Sequence, residues 1–146
     1  MKRVMIMRGT SGSGKSYHAR LLAGPHGRIV SADNYFIKAD GVYHFDPTQL
    51  GEAHAACMRW FIGAIDDGCE TIVVDNTCMR LYEVAPYSLV ARAYGYDVEV
   101  YHVICQIDTA VKRGQHSVPR LGVVRQFNSY EPLPSFMGEE KEIIND

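Results

Sequence analysis

The 146 residues hold no long hydrophobic run, no closely paired cysteines and no large excess of charge of either sign. Each absence excludes a class of protein. No apolar stretch approaches the roughly 20 residues that cross a bilayer. Arg8 interrupts the apolar start Val4–Met7, so no secretory segment is expected and the expected compartment is the cytoplasm. Cys57, Cys69, Cys78 and Cys105 form no C-x-x-C pair and no metal-ligand spacing. Cys57 on an apolar helix face and Cys105 at the end of an apolar strand read as reduced core thiols. A formal net charge of −2 argues against coating nucleic acid by bulk electrostatics, though a local basic cleft is compatible with it. There is no internal repeat and no low-complexity linker, and the length suits one domain with a sizeable core.

What is present begins early. Gly9-Thr10-Ser11-Gly12-Ser13-Gly14-Lys15-Ser16 is a complete G-x-x-x-x-G-K-S phosphate-binding loop. Its glycines let the backbone turn tightly enough for successive N–H groups to face phosphate oxygens. Lys15 supplies a charge for the β- and γ-phosphates, and the Ser16 hydroxyl can complete a Mg²⁺ site. Val4–Met7 before the loop has the continuous apolar character of a buried parallel strand. Residues 17–23 suit a helix ending at Gly24-Pro25. Strand, loop and helix N-terminus together present amides and a helix dipole to an anion, so the chain is expected to bind a nucleoside triphosphate.

Further along, apolar strands alternate with helical segments, which implies an α/β fold with a parallel sheet wrapped by helices. Strands are expected at 28–31, 71–74 and 98–104. Asp46-Pro47-Thr48-Gln49 has the form of a helix start. The helix after it is expected to bury Leu50, Ala53, Cys57, Phe61, Ala64 and Ile65. Residues 80–94 read as helical, with Pro86 marking a break or a fresh start. After Asp108 come a short helix, a loop around Ser117-Val118-Pro119 and another helix to about Tyr130. The tail, with its prolines and the run Glu139-Glu140-Lys141-Glu142, reads as loosely held.

Chemistry concentrates at strand ends. Asp75 ends an apolar strand downstream of the phosphate loop, where a carboxylate organises Mg²⁺ directly or through water. Asp33 lies at the carboxyl end of the second strand, the ligand edge of an open α/β sheet. A carboxylate there can take the proton of an attacking hydroxyl, whereas switches and motors must position a water. Between Asp108 and Glu131 there is no acidic residue, yet Lys112, Arg113, Arg120 and Arg125 fall there with His116. That cationic segment could fold over the phosphates as a lid, with Arg113 and then Arg120 the favoured arginines. His54 reads as a satisfied, partly buried histidine. Tyr35, Phe36, Tyr43 and Phe45 are either packing under a long loop or a platform on which a base stacks.

Taken in order, several stretches carry a resemblance. They are Arg8 through Ser16, Ala32-Asp33-Asn34-Tyr35-Phe36, Tyr43-His44-Phe45-Asp46-Pro47 and Glu52-Ala53-His54. Val74-Asp75-Asn76-Thr77, Pro86-Tyr87, Gly95-Tyr96-Asp97-Val98, and Lys112-Arg113 before His116-Ser117-Val118-Pro119 continue it. Together they resemble the polynucleotide-kinase-like P-loop kinases over nearly the whole chain. The resemblance implies a parallel sheet of nucleoside-kinase type, helices on both faces and a short C-terminal lid. It implies transfer of the γ-phosphoryl of ATP to a hydroxyl, often the 5′-hydroxyl of DNA or RNA. It also implies Lys15 and Ser16 at ATP·Mg²⁺, Asp33 as general base and Arg113 in the lid. The chain departs from phage-type polynucleotide kinases at Phe36, where they carry an arginine, and in a shorter, less basic lid.

The expected organisation is a kinase domain over 1–131, with the lid at about 108–131, and a tail over 132–146. The expected acceptor is a nucleic-acid 5′ end, as a single strand or an end and not bulk duplex, with no membrane partner. The alternatives are another hydroxyl, on a hydroxymethylated base, a nucleoside or a small metabolite, and a non-catalytic ATP-binding switch.

Overall fold

Val4, Met5, Ile6 and Met7 are all fully buried, because the strand they form is central in a sheet covered on both faces. A computed structural model describes residues 1–114 and 116–145. Gln115 in the lid segment and Asp146 at the end of the tail lie outside the described residues. The strands are β1 (Arg3–Arg8), β2 (Arg28–Val30), β3 (Thr71–Asp75), β4 (Asp97–Ile104) and β5 (Glu139–Ile144). The helices are α1 (Lys15–Ala23), α2 (Leu50–Asp66), α3 (Leu81–Ala93), α4 (Ile107–Arg113) and α5 (Arg120–Asn128). The sheet order is β2-β3-β1-β4-β5 and every pairing is parallel.

Alternation along β1 divides the core. Val4 and Ile6 face one side, with Phe61 of α2, and Val84 and Tyr87 of α3. Met5 and Met7 face the other, against Ala19 and Ala23 of α1. A smaller cluster of Cys105, Ala110 and Val123 holds α4 against α5. Register then positions the site: Met7 pairs with Asp75, so the phosphate loop leaves β1 beside the carboxylate that ends β3. Among the described residues no helix is long and apolar enough to cross a membrane.

Three expectations need correction. The tail is not loosely held over its whole length, because Glu139–Ile144 pairs with β4 from Glu99 to Ile104. Its charge had the look of a solvated run, but Glu140 faces inward. Glu140 Oε1 accepts from Arg8, whose side chain is fully buried, at 3.0 Å, and Oε2 accepts from the Tyr130 hydroxyl at 2.7 Å. The Arg8 guanidinium also donates to the carbonyls of Cys78, Met79 and Glu131.

Pro86 neither breaks nor restarts its helix; α3 runs through it. The amide that proline lacks would have served the carbonyl of Tyr82, an exposed residue where water can take its place. Leu50, expected in the core, is 43% exposed and faces the cavity described below, while Ala56 joins the buried stripe in its place. Asp46 does cap its turn, accepting from Thr48 N at 3.0 Å. Gln49 instead accepts from the Tyr35 hydroxyl.

Candidate active site

The phosphate loop is shaped by its glycines and by what crowds them. Gly12 and Gly14 take φ of +77° and +94°, the left-handed region that side chains disfavour. A Cβ on Gly12 would stand 1.9 Å from the Ala110 carbonyl oxygen, and one on Gly14 would stand 2.0 Å from Asn145 Nδ2. The loop is thus wedged between α4 and the end of the C-terminal strand. Gly9 N–H donates to Thr77 O at 3.0 Å, tying the start of the loop to the segment after β3. Gly14 ends the loop, and α1 begins at Lys15 with no side-chain cap, leaving its first-turn amides for an anion.

Lys15 and Ser16 both meet Asp75. Lys15 Nζ donates to Asp75 Oδ1 and Ser16 Oγ donates to Oδ2, each at 2.8 Å. Lys15 and Asp75 are buried. A hydroxyl oxygen beside a carboxylate is a donor set suited to Mg²⁺, a hard cation that usually takes one or two protein oxygens and fills its shell from phosphates and water.

Asp33 sits apart from that pair, on a 3-10 turn over Ala32–Phe36 just after β2. Its own N–H donates to Ser31 Oγ, and Ala32 N–H donates at 2.8 Å to the buried side chain of Asn76. Asn76 follows Asp75, so one short segment holds both carboxylates in place. The Asp33 side chain is 55% exposed, and among the described residues no lysine or arginine pairs with it. His116 Nε2 lies 3.8 Å from its Oδ2.

A single cavity of about 660 Å³ brings together Lys15, Ser16, Asp33, Asn76 and Arg113. Among the expected loop residues, Thr10, Ser11, Gly12 and Gly14 also line it, whereas Gly9 and Ser13 do not. Arg113 reaches the Asn145 carbonyl at 3.4 Å. Arg120 does not line this cavity; it pairs with Asp108 on an exposed surface of α4 and α5. Lys112 and Arg125 are exposed and do not line it either.

The aromatic loop divides its labour. Phe36 is buried and packs edge-on against Tyr35, Tyr43 and Phe45. Tyr43 and Phe45 stack on one another at the cavity wall. Burial and then the nearby Asp33 charge push the Tyr43 hydroxyl above its ordinary pKa. His54, expected to be partly buried and satisfied, is exposed and lines the cavity, because the inward face of α2 passes through Ala53 and Cys57 beside it. The buried thiols of Cys57 and Cys78 are held protonated by burial.

Two site residues had no signal in the sequence. Gln126 of α5 accepts from Ser11 N–H at 2.8 Å and donates to Ser11 Oγ at 3.1 Å, clamping α5 to the phosphate loop. Asn145, in the tail, donates to Ser13 O at 2.8 Å. Both contacts join residues far apart in the chain, which local pattern does not report.

A family model described as an AAA domain matches residues 4–118. The chain belongs to that family. Over 142 residues this AAA domain is 31% identical to human NEDD4-binding protein 2, covering 90% of this chain and 8% of that protein. The chain therefore spans a small fraction of its relative's length. Among solved structures it resembles a sugar kinase from Janibacter sp. at TM-score 0.64 and 18% identity, over 99% of this chain and 86% of that one. It also resembles a chain of a Pnkp1/Rnl/Hen1 complex at TM-score 0.62 and 18% identity, over 81% of this chain and 40% of that one. The fold is that of the P-loop kinases.

Proposed function

We propose that this AAA domain is an ATP- and Mg²⁺-dependent kinase that moves the γ-phosphoryl group to a hydroxyl, with a nucleic-acid 5′-hydroxyl as the favoured acceptor. The observation that carries this reading is a division between two carboxylates in neighbouring positions. Asp75 is committed to Lys15 and Ser16, while Asp33 lines the same cavity and, among the described residues, pairs with no lysine or arginine. Carboxylates placed in such different surroundings take different parts in a reaction. Asp75 serves the phosphate end, and Asp33 accepts the proton of the attacking hydroxyl.

Lys15 and the amides of the loop hold the β- and γ-phosphates, and Arg113 stands where it can meet charge on the transferring group. Ser16 and Asp75 would hold Mg²⁺, which when bound neutralises charge on the phosphate oxygens. Stacking on the exposed ring of Phe45 suits the base of a strand end. The order of motifs shared with polynucleotide-kinase-like enzymes supports the same acceptor.

A second reading keeps the chemistry and changes the acceptor to a small metabolite or modified base. The burial of Phe36 favours it, since no cation stands there to hold an acceptor strand, and the similar Janibacter protein is a sugar kinase.

Phosphoryl transfer from γ-labelled ATP to 5′-hydroxyl DNA and RNA, hydroxymethylated DNA, nucleosides, sugars and water separates these readings. Label on the 5′ end, with activity falling as salt rises, is the expected result. Label only on a small acceptor supports the second reading. Label only as free phosphate, or none despite ATP binding, contradicts a kinase and favours a nucleotide-dependent switch.

A further inference from the structure

His116 belongs to the lid, yet its ring lies over the opposite wall of the cavity. It stacks on Tyr43 with centroids 3.8 Å apart and planes 24° from parallel. In the same position its Nε2 is 3.8 Å from Asp33 Oδ2, too far for a direct hydrogen bond. The next residue, Ser117, takes φ of +54°, a conformation seldom adopted outside glycine, asparagine and aspartate. Such backbone outliers persist where the surroundings over-determine them, and they cluster at functional sites. The lid backbone is therefore bent at the residue after the imidazole that faces the carboxylate.

The gap between the two polar atoms has a useful size. An oxygen at ordinary hydrogen-bond distance from both, about 2.7–2.8 Å, would see them separated by an angle of about 90°. That is about 20° tighter than the tetrahedral angle between the O–H bond and a lone pair of an sp³ hydroxyl, a deviation that hydrogen bonds at oxygen tolerate. We propose that His116 is a second acceptor-contacting residue: its Nε2–H donates to the acceptor hydroxyl while Asp33 Oδ2 accepts that hydroxyl's proton. This assignment rests on the kinase reading of the site and names the group that orients its nucleophile.

The step balances without a further reagent. The hydroxyl oxygen forms its bond to the γ-phosphorus as the bond from that phosphorus to the β–γ bridging oxygen breaks. The hydroxyl proton passes to Asp33 Oδ2, and ADP leaves with the bridging oxygen. His116 keeps its proton throughout and turns a lone pair of the nucleophile toward phosphorus. Tyr43 fixes the imidazole plane by stacking and takes no part in proton transfer.

The test compares His116→Phe, His116→Gln and Asp33→Asn in steady-state transfer to whichever acceptor the labelled-ATP panel identifies, with ATP affinity measured separately by titration. His116→Phe keeps a ring on Tyr43 but has no N–H. It is expected to lower turnover on the acceptor about ten- to a hundredfold, the effect of one hydrogen bond made in the transition state, with ATP affinity unchanged. His116→Gln keeps an N–H donor and is expected to recover part of that loss. Wild-type turnover in His116→Phe, beside an inactive Asp33→Asn, overturns the role of His116 and leaves the kinase reading standing. A parallel loss of ATP affinity in His116→Phe also overturns it, marking the residue as a lid contact. Full activity of Asp33→Asn overturns both.

Discussion

The Lys15 ammonium stands 2.8 Å from one oxygen of the Asp75 carboxylate, and both side chains are about nine-tenths buried. Ser16 donates to the other oxygen. Breaking such a pair from one side leaves a desolvated charge with reduced compensation, an effect of about 3–5 kcal/mol in buried pairs.

Lys15→Ala is therefore expected to do two things at once. It removes the cation for the β- and γ-phosphates, so ATP binding should fall by at least tenfold. It also leaves Asp75 held by Ser16 alone, so the ligand-free protein should lose about 3 kcal/mol, the low end because the site opens onto a solvated cavity. Nucleotide titration and urea unfolding check the two parts. Unchanged stability would mean that Asp75 finds other partners when Lys15 is gone.

The Arg8–Glu140 pair makes the second prediction. Arg8 is fully buried and sits 3.0 Å from Glu140, with three backbone carbonyls completing its shell. Glu140→Ala should cost about 3 kcal/mol, moderated by those carbonyls, and Glu140→Gln should cost less because an acceptor remains. Equilibrium denaturation of the two variants measures this. A truly loose tail would show no effect from either.

That pair also marks the boundary of what could be read without a structure. Val4–Met7, Thr71–Val74 and the glycine loop announce themselves by local composition, and the parallel sheet follows from their alternation with helices. Asp33 and Asp75 were legible because strand ends in this architecture converge on one edge. Glu140 was not, since an inward carboxylate on a charged edge strand has the same local pattern as a solvated tail. Arg120 stood second to Arg113 as a candidate because charge spacing does not say which side of a short helix faces the cavity. Gln126 and Asn145 act through contacts across the fold, with neutral amide side chains that carry no motif.

His102 gives a pH prediction. Its ring stacks on Tyr130 with centroids 4.4 Å apart. Burial holds the imidazole below its ordinary pKa against the pull of the Glu140 charge, and Arg8 adds to the lowering. The unfolded chain therefore takes up the proton first. This contribution to stability is fully present above the unfolded value, about 6.5, and is lost as the pH falls through the folded one. His102→Phe keeps a stacked ring and should flatten the loss between pH 7.5 and pH 5. Denaturation midpoints at several pH values test it, and an unchanged acid slope would contradict it.

The central claim is that Asp33 serves the acceptor hydroxyl while Lys15, Ser16 and Asp75 serve the phosphates. Single-turnover transfer from saturating ATP·Mg²⁺ by wild type and Asp33→Asn, with ATP affinity measured on the same preparations, tests it most directly. The account predicts a loss of at least a hundredfold in the transfer rate with ATP affinity within about twofold of wild type. Transfer at the wild-type rate by Asp33→Asn would contradict it.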